Sequence, residues 1–150
     1  MRRDQFQTTI NLDFHRVILA CATRPDDARN WIDEEILRSY CALHESGHAH
    51  SVEVWSDDQL VGGLYGVSIR GAFFGESMFR SQTNASKVAL CALVDRLKGA
   101  GYRLLDIQWL TRHLSQFGAI EISRREYLRR LTIAMEVDCL FVHRPDPEAP

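Results

Sequence analysis

The chemistry-bearing residues of this chain stand in unexpected places. LLDIQWL (104–110) is an apolar run, yet it carries an acid at Asp106 and an amide at Gln108. In an extended strand Leu104, Asp106 and Gln108 share one face, and Leu105, Ile107 and Trp109 share the other. An acid beside an amide at the C-terminal end of a strand, where open sheets of this kind commonly hold ligands, is a candidate for proton transfer and for oxyanion hydrogen bonding. The plainer reading is that both side chains only satisfy backbone groups at a strand end. GESMF (75–79) repeats the question, because Glu76 lies among Phe73, Phe74, Met78 and Phe79. A carboxylate in such company is costly unless it is paired or hydrated. It either faces solvent on a one-sided sheet or forms a polar group at the mouth of an apolar pocket.

Other clusters carry less. His48 and His50 form an HxH pair with no third ligand in register, so no metal site is expected. Cys21, Cys41, Cys91 and Cys139 show no CxxC pair and read as reduced thiols. VGGLYG (61–66) has the wrong glycine spacing for a nucleotide loop; its glycines point to a bulge or a close backbone approach. Arg124, Arg125 and Arg129 precede or lie on a helix, with Arg125 and Arg129 one turn apart, which makes them the best candidates for phosphate contact. A solvated helix face is the simpler account of that segment.

The elements that must position these residues follow from periodicity and caps. The chain has 150 residues, 45% apolar and 25% charged, with a net charge of −2. That suits one soluble domain spanning 1–150 with a loose tail at 140–150, and it excludes a chain that binds nucleic acid by overall charge. There is no apolar run of about 18 residues, and no apolar stretch follows the basic start MRRD, so a cytoplasmic location is expected. A strand is expected over 5–11, a helix capped by Asp13, a loop at 22–30 and a helix from about Trp31 to His44. An antiparallel meander follows over 48–55, 59–69 and 72–79, with turns at 56–58 and 70–71. Thr83-Asn84 is expected to cap a helix to about Lys98, followed by a strand over 102–110 and a short helix or turn at 110–117. A short strand at 118–122 and a helix opened by the capping-box pair Ser123 and Glu126 complete the chain. The helix between the third meander strand and the 102–110 strand is a crossover, so those two strands can be parallel. The class is α+β, or mixed α/β, with a mostly antiparallel central sheet, and the element order matches the acyltransferase fold of GNAT N-acetyltransferases.

Read together, HESGHAHSVEVW (44–55), LVGGLYGV (60–67), FFGESMF (73–79), NASKVAL (84–90), LLDIQ (104–108) and FGAIEISR (117–124) resemble the leucyl/phenylalanyl-tRNA–protein transferase family, in order over about residues 10–130. The resemblance implies an enzyme that moves Leu or Phe from aminoacyl-tRNA to the N-terminal amine of a protein beginning with Arg or Lys, for N-end-rule degradation, with no cofactor. It implies catalytic roles for Asp106, Gln108 and Glu76, a place for Trp31 near the terminal adenosine of the tRNA, and an amino-acid pocket lined by Leu64, Phe73 and Leu93. At 64 and 93 the family often has Met and Phe, where this chain has Leu. The family also has a region preceding the 5–11 strand, so a separate chain in that role is one expected partner. Two other functions compete. A coenzyme-A N-acetyltransferase usually has a glycine-containing loop after the meander, but here that place reads RSQTNAS (80–86). A non-catalytic module that recognises N-terminal peptides or aminoacyl ends is the other.

Overall fold

Alternating apolar residues between tight turns build the centre of the fold. The computed structural model describes residues 6–24, 31–108 and 110–142. Along the chain these form β1 (Gln7–Ile10), α1 (Phe14–Ala22), α2 (Glu34–Glu45), β2 (Ala49–Ser56), β3 (Gln59–Ile69), β4 (Ala72–Arg80), α3 (Ala85–Gly99), β5 (Leu104–Asp106), α4 (Arg112–Ser115) and α5 (Arg124–Met135). The strands lie in the order β1-β2-β3-β4-β5. The first four are antiparallel, and β5 joins β4 in parallel after the α3 crossover. The β2–β3 turn holds Asp57 and Asp58 at φ 47° and 63°, the pair of positive angles that matches the twist of a tight hairpin.

Each sheet face buries its own core. On one, α3 sets Leu90, Leu93 and Leu97 against Val52, Val54, Leu64 and Phe73. On the other, α1 covers Tyr65 and Phe79 with Phe14, Val17 and Ile18, joined by Ile32 just ahead of α2 and by the partly buried Ile36, Leu37 and Tyr40 of α2. Burying each such side chain contributes about 1.5–3 kcal/mol before entropy opposes it. Gly62 lets α3 sit this close, since a Cβ there would fall 2.6 Å from the Cβ of Ala85. Among the described residues, no helix is long and apolar enough to cross a membrane.

One buried acid went unremarked in the sequence. Glu53 is fully buried on β2. Its oxygens accept from Thr9 Oγ1 at 2.7 Å, Ser51 Oγ at 2.5 Å and the backbone N–H groups of Leu12 and Asp13, both at 3.3 Å. It ties the β1–α1 corner to the sheet.

Several boundaries differ from the sequence reading. Helix α2 opens at Glu34 rather than near Trp31, because Asp33 accepts from the Ile36 N–H and Glu34 and Glu35 occupy the first turn. Asn84 precedes α3 in a left-handed conformation and makes no side-chain cap. Ser123 does cap α5 by accepting from the Glu126 N–H, but the Glu126 carboxylate turns to Arg129 and Arg130 instead of reaching back. Residues 118–122 form no strand, since β5 stops after three residues and offers no edge there. Phe141 is buried, stacked on His50 and Phe73 at 4.3 and 5.3 Å, so the tail is packed to that point. The 25–30 part of the expected loop, Trp109 and residues 143–150 lie outside the described residues.

Candidate active site

The site forms where two neighbouring strands stop matching. Ala72, Phe73 and Phe74 pair with Leu104, Leu105 and Asp106, and there the β4–β5 ladder ends. Strand β4 runs on, but its pairing with β3 jumps from Gly66↔Gly75 to Tyr65↔Ser77, leaving Glu76 as the extra residue of a β-bulge. A bulge bends its strand and re-aims a side chain. It also reverses the alternation: Phe73 and Met78, five residues apart, both pack toward α3. Between the bulged β4 and the end of β5 a cavity of about 830 Å³ opens.

The cavity has two unlike sides. Toward α3 its wall is Leu64, Met78, Leu90, Leu93, Leu105 and Ile107. Toward α1 and α2 it is Arg24, Trp31, Tyr65, Glu76 and Ser77. Gln108, Thr111, His113 and Leu114 close the end beyond β5. Trp31 meets Tyr40 edge-on at 6.2 Å, and Tyr40 meets Tyr65 edge-on at 5.2 Å, an aromatic ladder behind the polar side.

The polar groups form a connected chain. Gln108 Nε2 donates to the Gly75 carbonyl at 3.1 Å and to Glu76 Oε2 at 3.3 Å. Gln108 itself is left-handed, with φ 71°, which costs a non-glycine residue about 1–2 kcal/mol. Asp106 offsets that cost, because its Oδ1 accepts the Gln108 backbone N–H at 2.8 Å. The other oxygen of Asp106 accepts from the Tyr127 hydroxyl of α5 at 2.7 Å. Burial first, then the hydrogen bond to Asp106 and its charge, push the Tyr127 hydroxyl up to about 12. Burial likewise lifts Tyr40 to about 12, with the charge of Glu76 and a hydrogen bond to it adding to the shift. Both phenols therefore stay protonated donors at neutral pH.

The expected site residues divide accordingly. Glu76, Gln108, Trp31, Leu64 and Leu93 all line the cavity. Asp106 and Gln108 do not project into it together: Leu105 and Ile107 form the wall, and Asp106 faces Tyr127 on the other side. Strand alternation fails to pair them because β5 ends at Asp106 and the backbone turns over at Gln108. Phe73 is absent from the wall as well. It is fully buried against Phe141 in the α3-side core, where the bulge leaves it. Arg129 is engaged with Glu126 at 2.7 and 2.9 Å, whereas Arg124 and Arg125 are exposed with no ion pair shown among the described residues. Sequence reasoning missed Tyr40, Tyr127 and His113 as polar members of the site. The first two were visible only as positions on helix faces, and nothing local marked the third.

Comparison with solved structures defines the class first. The fold is similar to that of the ribosomal-protein-alanine N-acetyltransferase from Brucella melitensis biovar Abortus 2308, with a TM-score of 0.59 and 12% identity over 79% of this chain and 93% of that one. It is equally similar to an aminoglycoside acetyltransferase from an uncultured soil metagenomic sample, with a TM-score of 0.59, 11% identity and 79% and 91% coverage. The protein thus has the acyltransferase fold of the GNAT N-acetyltransferases.

Within that class the chain belongs to the leucyl/phenylalanyl-tRNA protein transferase family, which it matches over residues 1–132. It is 52% identical over 147 residues to the leucyl/phenylalanyl-tRNA–protein transferase of Maricaulis maris, covering 97% of this chain and 68% of that protein. Proteins of the same name from Gloeobacter violaceus and Phenylobacterium zucineum are 52% and 56% identical, over 94% of this chain in each case. The chain spans 72% and 64% of those two proteins.

Proposed function

We propose that this cavity transfers Leu, Phe or a similar apolar amino acid from aminoacyl-tRNA to the N-terminal amine of a protein beginning with Arg or Lys. The observation that carries the reading is one cavity with an aliphatic wall on one side and an anchored carboxylate on the other. The aliphatic side, with Leu64 and Leu93, takes the amino-acid side chain. Glu76 faces the cationic amine, with Gln108 and Tyr40 holding its carboxylate in place. Trp31, 42% exposed at the rim, offers a ring face for the terminal adenosine. Gln108 lies at the reacting carbonyl. Asp106 acts through it as a positioning residue, sustaining its left-handed backbone while Tyr127 steadies Asp106. Exposed Arg124 and Arg125 are the phosphate contacts for the tRNA.

The chemistry asks for little else. An aminoacyl ester is already activated toward an amine, and holding both partners in attack geometry can supply about 7–11 kcal/mol of the barrier. The acceptor so extended enters N-end-rule degradation in the cytoplasm. The test is direct. Incubated with Leu-tRNA, Phe-tRNA or a 3′-aminoacyl adenosine, the protein extends a peptide beginning with Arg or Lys by one Leu or Phe residue, read by mass spectrometry. No extension from any of these donors overturns the reading.

A further inference from the structure

A terminal adenosine that carries an amino acid offers a protein three handles on one ribose. These are the base at C1′, the ester on the 3′ oxygen and, in a nucleic acid, the phosphodiester on the 5′ oxygen. The proposed transfer gives the base a place at Trp31 and the ester a place at Gln108. The third handle is an anion, and the cavity holds a cation that the transfer has not used. Arg24 lines the same polar side as Trp31 and Glu76. Among the described residues it is the one guanidinium or ammonium group on the cavity wall.

The sign of Arg24 suits only one part of the substrates. The donor's amine, the acceptor's N-terminus and the acceptor's Arg or Lys side chain are all cationic before reaction, and a guanidinium repels each of them. The phosphodiester is the anion nearest the reacting ester, since both belong to one ribose. Arg24 is also held where it can serve. Its Nη1 donates to the Met78 carbonyl at 2.9 Å, just past the bulge in β4. The residue is half-buried, neither sealed in the core nor loose in solvent. Burial, ahead of any charge, raises the Tyr65 hydroxyl; the charge of Glu76 raises it further and that of Arg24 lowers it, so both charged groups lie within reach of one phenol on the polar side. An arginine presents five N–H donors in a rigid fork that matches phosphate oxygens, so the anchor to Met78 does not exhaust it.

We propose that Arg24 binds the 5′ phosphodiester of the terminal adenosine and so sets where the ester on the same ribose comes to rest. With the base on Trp31, the phosphate on Arg24 and the reacting carbonyl at Gln108, the ribose is fixed at three points and can no longer swing about the base. The carbonyl that anchors Arg24 belongs to Met78, whose side chain is part of the aliphatic wall. The phosphate contact and the amino-acid pocket are thereby referred to one residue of β4.

This inference rests on the proposed transfer, and its test keeps the two apart. Two donors are compared, each a leucyl ester on the 3′ oxygen of adenosine. One has a free 5′ hydroxyl; the other has a 5′ methyl phosphodiester, with the single negative charge found in tRNA. Neither extends beyond the terminal adenosine, so contacts to the rest of the tRNA do not enter. The wild-type chain should use the phosphodiester about tenfold better in kcat/KM, mostly through KM. Arg24→Gln should bring that ratio to within about twofold of unity, and Arg24→Lys, which keeps the charge but loses the fork, should give an intermediate ratio. A working wild type with no preference for the phosphodiester overturns the role of Arg24 and leaves the transfer standing. An unchanged ratio in either variant does the same, because a purely structural role slows both donors alike. A wild-type chain that makes no product from either donor overturns the transfer and this inference with it.

Discussion

Two glutamates on the same side of one sheet divide the work of this molecule. Glu53 sits within β2, paired opposite Thr9 and Gly63, with no exposure. A carboxylate has about four acceptor sites. At Glu53 all are taken, two by side-chain hydroxyls and two by backbone N–H groups at the β1–α1 corner. Glu76 is the extra residue of a bulge, half-buried in a cavity wall, with Gln108 and Tyr40 as its donors. A saturated carboxylate can only hold structure together. One with acceptor capacity left, facing a cavity, can receive a substrate cation. Both are glutamates on strands; Glu53 is paired in register on both sides, whereas Glu76 is the residue its bulge leaves unpaired.

That contrast can be broken by experiment. Glu53→Ala leaves four donors facing a void and should lower stability by about 3–5 kcal/mol, seen as a large drop in denaturant midpoint, while the protein that stays folded keeps its KM. Glu76→Gln should do the reverse, cutting transfer about a hundredfold, or about 3 kcal/mol in the barrier, with the melting temperature unmoved. Comparable melting losses in both would erase the distinction. Leu64→Ala, on the aliphatic side, should weaken Leu transfer by roughly 2 kcal/mol through lost packing. Unchanged selectivity among Leu, Phe and Ala donors would place the side-chain pocket elsewhere. Tyr127→Phe removes one donor from Asp106 and should lower kcat about tenfold, with acceptor KM preserved. A larger effect in KM than in kcat would show that Asp106 binds the acceptor rather than positioning Gln108. Smallest is the helix patch. Arg124→Ala and Arg125→Ala should each weaken tRNA binding a few-fold and reduce its salt slope by about one, whereas Arg129→Ala, already paired to Glu126, should not.

Much of this was legible in the residues and some was not. The meander from 48 to 80, the α3 crossover and the Ser123 cap follow from alternation, turn residues and capping, and they are where that reasoning placed them. Glu76, Gln108, Trp31, Leu64 and Leu93 line one cavity. The errors share a cause. Facing Asp106 with Gln108 assumed unbroken two-residue alternation, and the place the resemblance implied for Phe73 in the pocket took no account of the backbone between it and Met78. The bulge at Glu76 and the left-handed Gln108 interrupt that alternation. Glu53 was passed over because its four donors come from residues 9, 12, 13 and 51, some adjacent only after folding.

By itself the sequence determined most of the element types and their order, because periodicity, caps and turn residues act over a few positions and need no partner; the family it showed by the likeness of its motif text. Only the tertiary structure decided which acid is sealed and which is open, and that Asp106 faces Tyr127 while Gln108 meets the cavity. The first depends on the β1–α1 corner closing over β2, the second on where β5 stops against a bulged β4, and both are settled between segments thirty or more residues apart, beyond the reach of any local pattern.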